Sequence, residues 1–318
     1  MTSQTEGKAV EVDSVCKSFG TVDALQGLTF SADVGSVLGI LGPNGAGKTT
    51  VIDILCTLST MDSGKATVCG FDVATHPAAV RERISMTGQY AALDETLNGR
   101  ENLIFFGAMM GLRTRTARTR ADYLLERFDL TDAASRAVST YSGGMRRRLD
   151  IACGLVVKPS VVFLDEPTTG LDPRSRGRVW DLVESLSQDG ITTILTTQYL
   201  DEADRLSDRI VVVDHGRVVA DGTAADLKAA VGDTRCEALL ENPGDTDRFA
   251  ALLRDKFGES ALTETAAGVV RMRAPDGVDT MSQIIECAGI ASIRLRDIGL
   301  RNPSLDDVFL TLTSPAAP

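Results

Sequence analysis

The sequence predicts an α/β fold, a mixed sheet carrying a helical insert, followed by a small α+β domain. Three observations carry that expectation. Short apolar runs alternate with helical periodicities through residues 161–213, a glycine-rich loop stands between a strand and a helix at 42–47, and the patterning weakens beyond residue 228. With 318 residues, 43% of them hydrophobic and 24% charged, the chain has length for about two domains and an ordinary globular composition.

Val10, Val12 and Val15 alternate loosely, and Leu28, Thr29 and Phe30 follow a turn expected at Gln26-Gly27, so an antiparallel strand pair opens the chain. Residues 37–41 form a short apolar run, read as a buried strand, and the spacing of Val51, Ile52, Ile54 and Leu55 predicts a helix over 48–58. A helical insert is expected over about 97–157. Leu103, Phe106 and Met110, then Tyr123, Leu124 and Phe128, recur at three- and four-residue spacing on either side of a basic run at 113–120. Helices at 144–157, 174–186 and 200–206 alternate with strands at 161–164, 191–196 and 210–213, which implies a parallel sheet covered on both faces. The domain boundary is placed near 228–234, giving domains of 1–230 and 231–318. The second reads strand 236–240, helix 246–257, two strands around Gly268, helix 280–287 and strand 291–297, the order of a split βαβ unit.

Charge narrows the function. The net charge is −11; residues 231–318 hold 9 basic against 14 acidic residues, or −5, leaving −6 for the rest. Neither part is basic, so no nucleic-acid partner is expected. Six cysteines without a CxxC pair and only two histidines argue against zinc or a disulfide framework and favour reduced thiols. Neither a secretion signal nor an apolar run near the ~18 residues of a membrane span is visible.

Gly42-Pro43-Asn44-Gly45-Ala46-Gly47-Lys48-Thr49-Thr50 matches G-x-x-x-x-G-K-[ST] in the context its mechanism requires, after a strand and before a helix. The glycines let backbone N–H groups converge on a phosphate, Lys48 adds a point charge, and Thr49 can reach Mg²⁺. Residues 161–164 lead into Asp165 and Glu166, an apolar strand ending in a carboxylate for the metal and another for a water. Tyr141-Ser142-Gly143-Gly144-Met145 opens another helix, a second anion-binding N-terminus. Arg146, Arg147 and Arg148 then crowd its first turn, where cations oppose the macrodipole. A solvent-facing run and a run offset by a phosphate or a partner carboxylate are equal readings of them.

These parts, in this order over about residues 8–222, resemble the nucleotide-binding subunits of ABC transporters. The resemblance implies that Phe19 stacks on adenine, that Gln89 joins the metal and senses the γ-phosphate, and that Ser142–Met145 close on a partner's nucleotide. It implies too that the 169–172 loop, Asp172 included, crosses a dimer seam. One chain has two phosphate-binding helix ends and one nucleotide, so the implied assembly is a homodimer sandwiching two ATP molecules. The Gln198-Tyr-Leu-Asp-Glu-Ala-Asp segment, the Tyr141 signature and Asn302-Pro-Ser-Leu-Asp-Asp-Val-Phe-Leu310 resemble the daunorubicin-resistance type of exporter ATPase. There the permease is a separate polypeptide, received by the helical insert, with Asn98, Gly99, Glu101 and Phe105 as candidate contacts, and the subunit works at the cytoplasmic face of the membrane.

The signature departs from the family's Leu-Ser-Gly-Gly-Gln, and Gln198 stands where the family carries a switch histidine. A glutamine amide donates a hydrogen bond but cannot change charge near neutral pH. His215 reads as a turn residue. Two alternatives to an export ATPase, with Glu166 and Gln198 at its chemistry, are a non-transport ABC ATPase on a macromolecular partner and an ATP-dependent clamp with slow turnover. The second domain reads as a dimerisation or regulatory unit.

Overall fold

Residues 161–165 read Val-Val-Phe-Leu-Asp, and all five are buried. A strand apolar on both faces needs cover on both, and its side chains divide by parity. Val161 and Phe163 join one core with Leu38, Ile40, Ile194, Val211 and Val213. Val162 and Leu164 join the other with Leu195 and the helical insert's Leu103, Leu124 and Phe128.

The computed structural model describes residues 7–88, 92–231, 234–301 and 304–313, residues 231 and 310–313 by their backbone only. The elements begin β1 (Lys8–Phe19), β2 (Val22–Asp33), β3 (Val37–Leu41), α1 (Lys48–Leu55), β4 (Ser63–Val68), β5 (Phe71–Asp72), α2 (Pro77–Arg81) and β6 (Ile84–Thr87). The insert follows with α3 (Gly99–Met109), α4 (Thr114–Arg127) and α5 (Gly143–Gly154). Then come β7 (Val161–Asp165), α6 (Pro173–Gln188), β8 (Thr192–Thr197), α7 (Leu200–Leu206), β9 (Arg209–Asp214), β10 (Arg217–Gly222) and α8 (Ala224–Val231). The central sheet runs β10-β9-β3-β8-β7-β6, parallel except for the β10 edge. A second sheet, β2-β1-β4-β5, is antiparallel.

Ala224 closes one compact unit, and Ala225–Pro318 form another. The latter contains β11 (Arg235–Leu240), α9 (Thr246–Phe257), β12 (Leu262–Ala266), β13 (Val269–Arg273), α10 (Val278–Ile290), β14 (Leu295–Arg301) and α11 (Leu305–Thr313). Its sheet order β12-β13-β11-β14 is antiparallel throughout, the arrangement of a split βαβ fold. Phe249, Leu253, Val270 and Ile284 centre its own core.

The opening hairpin turns at Gly20-Thr21, not at Gln26-Gly27. Gly27 lies inside β2 at φ 75°, where the register skips from Val15↔Leu28 to Cys16↔Gln26, so a bulge absorbs the glycine that looked like a turn. The last strand falls at 295–301 instead of 291–297, because 291–292 end α10. Asn98 and Glu101 form a capping box on α3, Gly99 is buried with no room for a Cβ beside the Tyr141 hydroxyl, and Phe105 is half exposed. Among the described residues no helix is long and apolar enough to cross a membrane.

Phe163 is fully buried in the strand that bears Asp165. Phe163→Ala is expected to lower the unfolding free energy by about 3–5 kcal/mol, read by denaturant titration.

Candidate functional site

Strand β3 ends at Leu41, and the chain must turn sharply to enter α1 at Lys48. Gly47 caps α1 at φ 104°, and a Cβ there would lie 2.6 Å from the Ala24 carbonyl. A Cβ on Gly42 would lie 2.3 Å from the Val213 carbonyl. Both glycines are dictated by close approach of backbone. A cleft of about 380 Å³ opens over the loop, lined by Val22, Asp23, Ala24, Gln26, Asn44, Gly45, Gly47, Lys48, Thr49, Thr50, Glu166 and His215. His215, expected as a turn residue, does sit in a tight turn at φ 45°, and that turn faces the cleft. Pro43 supplies a carbonyl to Lys48, and Ala46 is buried under the loop, its N–H bonded to Pro43 and its carbonyl to the Gly216 N–H.

The Lys48 ammonium is 5% exposed and donates to the Gly42 carbonyl at 2.9 Å and the Pro43 carbonyl at 3.1 Å. It also pairs with Glu166 Oε1 at 3.5 Å. Asp165, 2% exposed, accepts from the Thr49 hydroxyl at 3.0 Å and from the Thr196 hydroxyl at 2.5 Å. Glu166 adopts φ 45°, left-handed for a non-glycine residue, held by N–H bonds to the Thr196 carbonyl and hydroxyl. Thr169 donates to Glu166 Oε2 at 3.1 Å.

Of the remaining expected residues, Phe19 ends β1 about half exposed and pairs across the turn with Val22, a lining residue of the cleft. Gln198, half-buried, follows β8 directly, next to Thr197, whose carbonyl accepts from the Gly42 N–H. Gln89 lies outside the described residues. Ser142 caps α5, its hydroxyl accepting from the Met145 N–H. Gly143 and Gly144 pack on Leu171 and Ser175, and a Cβ on Gly144 would lie 2.4 Å from the Ser175 hydroxyl. Asp172 caps α6 by accepting from the Arg174 and Ser175 N–H groups and the Ser175 hydroxyl, which together hold its carboxyl below the usual range. None of residues 142–145 lines the cleft.

The arginine run is the main correction. Arg147 and Arg148 are 8% and 6% exposed, and both spend their donors on backbone carbonyls; Arg146 pairs with Glu95. Each also meets a carboxylate of the same chain, Arg146 that of Glu95, Arg147 that of Asp150 and Arg148 that of Asp129, so the two buried arginines are accounted for without an added phosphate. Arg120 of the second basic run likewise donates to the Leu155 and Val156 carbonyls at the end of α5. Sequence reasoning also missed Thr196 and Glu202. Glu202 is fully buried and accepts from Thr168 and the Trp180 indole, tying α7 to the loop after β7.

A phosphate loop beside a buried carboxylate–hydroxyl pair, with a second carboxylate against the loop lysine, defines a phosphate-loop nucleoside triphosphate hydrolase. The family model described as ABC transporter matches residues 25–169. The chain is 50% identical to the doxorubicin resistance ATP-binding protein DrrA of Mycobacterium tuberculosis, over 98% of this chain and 95% of that protein. It is also 50% identical to the daunorubicin resistance ATP-binding protein DrrA2 of Streptomyces coeruleorubidus, over 97% and 96%. Among solved structures, cbiO1 from Clostridium perfringens, part of the ABC transporter complex cbiONQ, matches 70% of this chain and 92% of its own, with 27% identity and a TM-score of 0.66. The chain belongs to the ABC transporter ATP-binding family and is an ATPase.

Burial pushes the Asp150 carboxyl from its ordinary 3.8 up to about 6, against the pull of Arg147 and a bond from the Ala92 N–H. The native state therefore binds the proton more tightly than the unfolded chain, and this contribution to stability is lost as pH rises through that interval. Asp150→Asn is expected to gain on the wild type between about pH 4 and about pH 6, with a constant difference above, read as Tm against pH.

Proposed function

We propose that this chain powers outward transport of a drug, antibiotic or lipid-like amphiphile through a separate integral membrane permease, as a homodimer at the cytoplasmic face of the membrane. The observation that carries the hydrolytic half is the convergence of Lys48, Thr49 and Glu166 on one cleft, with buried Asp165 bonded to Thr49. The export half rests on near-full-length likeness to proteins named for doxorubicin and daunorubicin resistance.

ATP is read as binding with its phosphates over the backbone N–H groups of 43–48 and against Lys48, its adenine on Phe19 and its γ-phosphate within reach of Gln198. The Thr49 hydroxyl and the Asp165 carboxylate are adjacent hard-oxygen donors and suit Mg²⁺, with Gln89 as a further ligand. The ion would neutralise charge developing on the transferred phosphoryl group.

Glu166 acts as the base that orients the attacking water. Phosphate oxygens compete with Glu166 for the Lys48 ammonium, so substrate binding itself releases the carboxylate toward the water. The second phosphate-binding helix end, Ser142–Met145, has no nucleotide of its own chain to meet and is read as closing on the ATP of the facing subunit. Phe105 and Met109 of α3, Met110 just after it and Tyr123 of α4 are exposed, and this part of the insert is read as the seat of the permease's cytoplasmic helix. The unit from Ala225 onward is read as a dimerisation or regulatory element.

Glu166→Gln is expected to cut turnover by about 10²–10⁴-fold while ATP binds at least as tightly as to the wild type, because an ion pair with Lys48 no longer has to be displaced. Turnover equal to wild type sinks the assignment. Gln198→His is expected to add a titration near neutral pH to the pH–rate profile, and an unaltered profile removes Gln198 from the γ-phosphate. Drug-stimulated turnover in vesicles with the neighbouring permease tests the export reading; turnover indifferent to both speaks for a non-transport partner.

A further inference from the structure

Arg147 is the fifth residue of α5, two residues after Met145, and its guanidinium leaves the helix for three backbone carbonyls. Nε donates to the Pro167 carbonyl at 2.9 Å and Nη2 to the Asp165 carbonyl at 3.0 Å. The Asp165 carbonyl belongs to the peptide group entering Glu166, and the Pro167 carbonyl lies one residue beyond it. Nη1 donates to the Gly88 carbonyl at 2.5 Å, just past β6. One turn along α5, Asp150 pairs with Arg147 at 3.7 Å and accepts from the Ala92 N–H at 3.1 Å. Arg147 and Asp150 thus hold Gly88 and Ala92, the described residues on either side of 89–91.

Glu166 needs such a frame. Its left-handed φ of 45° is costly for a side-chain-bearing residue and persists only where the surroundings over-determine it. From β8, Thr196 fixes its N–H. From α5, Arg147 binds the carbonyl of the peptide group entering Glu166 and the carbonyl of the following residue, Pro167. An 8%-exposed arginine with three carbonyl acceptors around a planar fork is a built arrangement, and lysine, a point donor, cannot reproduce it.

We infer that Arg147 is a positioning residue for hydrolysis: it ties the backbone at Asp165 and Pro167, on either side of Glu166, and at Gly88 to the helix that begins with the signature. This rests on the reading of Glu166 as the base. Its consequence is mechanical coupling within one subunit. Any displacement of the N-terminal part of α5 on closure of Ser142–Met145 is transmitted through one side chain to the Asp165 and Pro167 carbonyls that flank Glu166.

Arg148 provides the control. It lies on the same helix at 6% exposure, but donates to the Phe128 and Asp129 carbonyls and the Asp129 carboxylate, away from the cleft. Arg147→Lys and Arg148→Lys in the full-length chain are compared for turnover, equilibrium ATP binding, Tm and amide hydrogen exchange. Both are expected to lower Tm. Only Arg147→Lys should lower kcat, by about 100-fold with ATP affinity retained, and only it should speed exchange at the amides of 165–169. Equal losses of kcat in the two variants, or wild-type kcat in Arg147→Lys, overturns the inference. Glu166→Gln separates the two failures. If it turns over normally, the base assignment falls and the positioning role with it; if it is inactive while Arg147→Lys is not, only the positioning role falls.

Discussion

A carboxylate 2% exposed must be compensated, and the way Asp165 is compensated organises the whole cleft. Its two oxygens take the hydroxyls of Thr49 from α1 and Thr196 from β8, while its carbonyl takes Arg147 from α5. Three elements are therefore registered against the end of β7 by the needs of one residue. The parallel pairing of β7 with β8 puts Asp165 beside Thr196, and the pairing of β8 with β3 puts the phosphate loop beside them. Carboxyl ends of parallel strands are where an open α/β sheet leaves a crevice, so the site lies where topology provides it.

The same logic explains why three arginines are tolerated where the helix dipole opposes them. An unfavourable position within a helix is a local term worth only a fraction of a kcal/mol, roughly 0.3–1, whereas a buried carbonyl left unpaired costs about 1–3. Arg147 and Arg148 between them satisfy five backbone carbonyls beyond the helix. Tertiary demand outweighs local preference here, and the apparent conflict in the sequence marks a place where distant loops are joined.

That is also the boundary of what the sequence makes legible. The phosphate loop, β7 with Asp165 and Glu166, and the cap of α5 are each encoded within about ten contiguous residues, by apolar patterning and glycine punctuation, and each is where the pattern puts it. Helices α7 and α9 coincide with their apolar periodicity to the residue. Strands β4, β5 and β10 are not legible, because their polar and exposed residues dilute the apolar alternation. Gln26-Gly27 reads as a turn because a bulge glycine and a turn glycine share the same positive φ. Arg147 and Thr196 escape for another reason: their roles are long-range hydrogen bonds to backbone, which leave no spacing signal.

The ion pair between Lys48 and Glu166 gives the cleft a further property. Both side chains are more than nine-tenths buried, yet the pair is loose at 3.5 Å, while Lys48 already has two carbonyl acceptors at 3.1 Å or less. Desolvated pairs of this kind contribute little net stability, because the cost of burial offsets most of the attraction. Exchanging Glu166 for a polyanionic phosphate as the partner of Lys48 is therefore downhill. Glu166, once relieved of Lys48, keeps its backbone frame and its bond from Thr169, so the carboxylate is released without being disordered. On the proposed reading of Glu166 as the base, binding and activation are one event at Lys48, and the rigidity behind it comes from Thr196, Thr169 and Arg147.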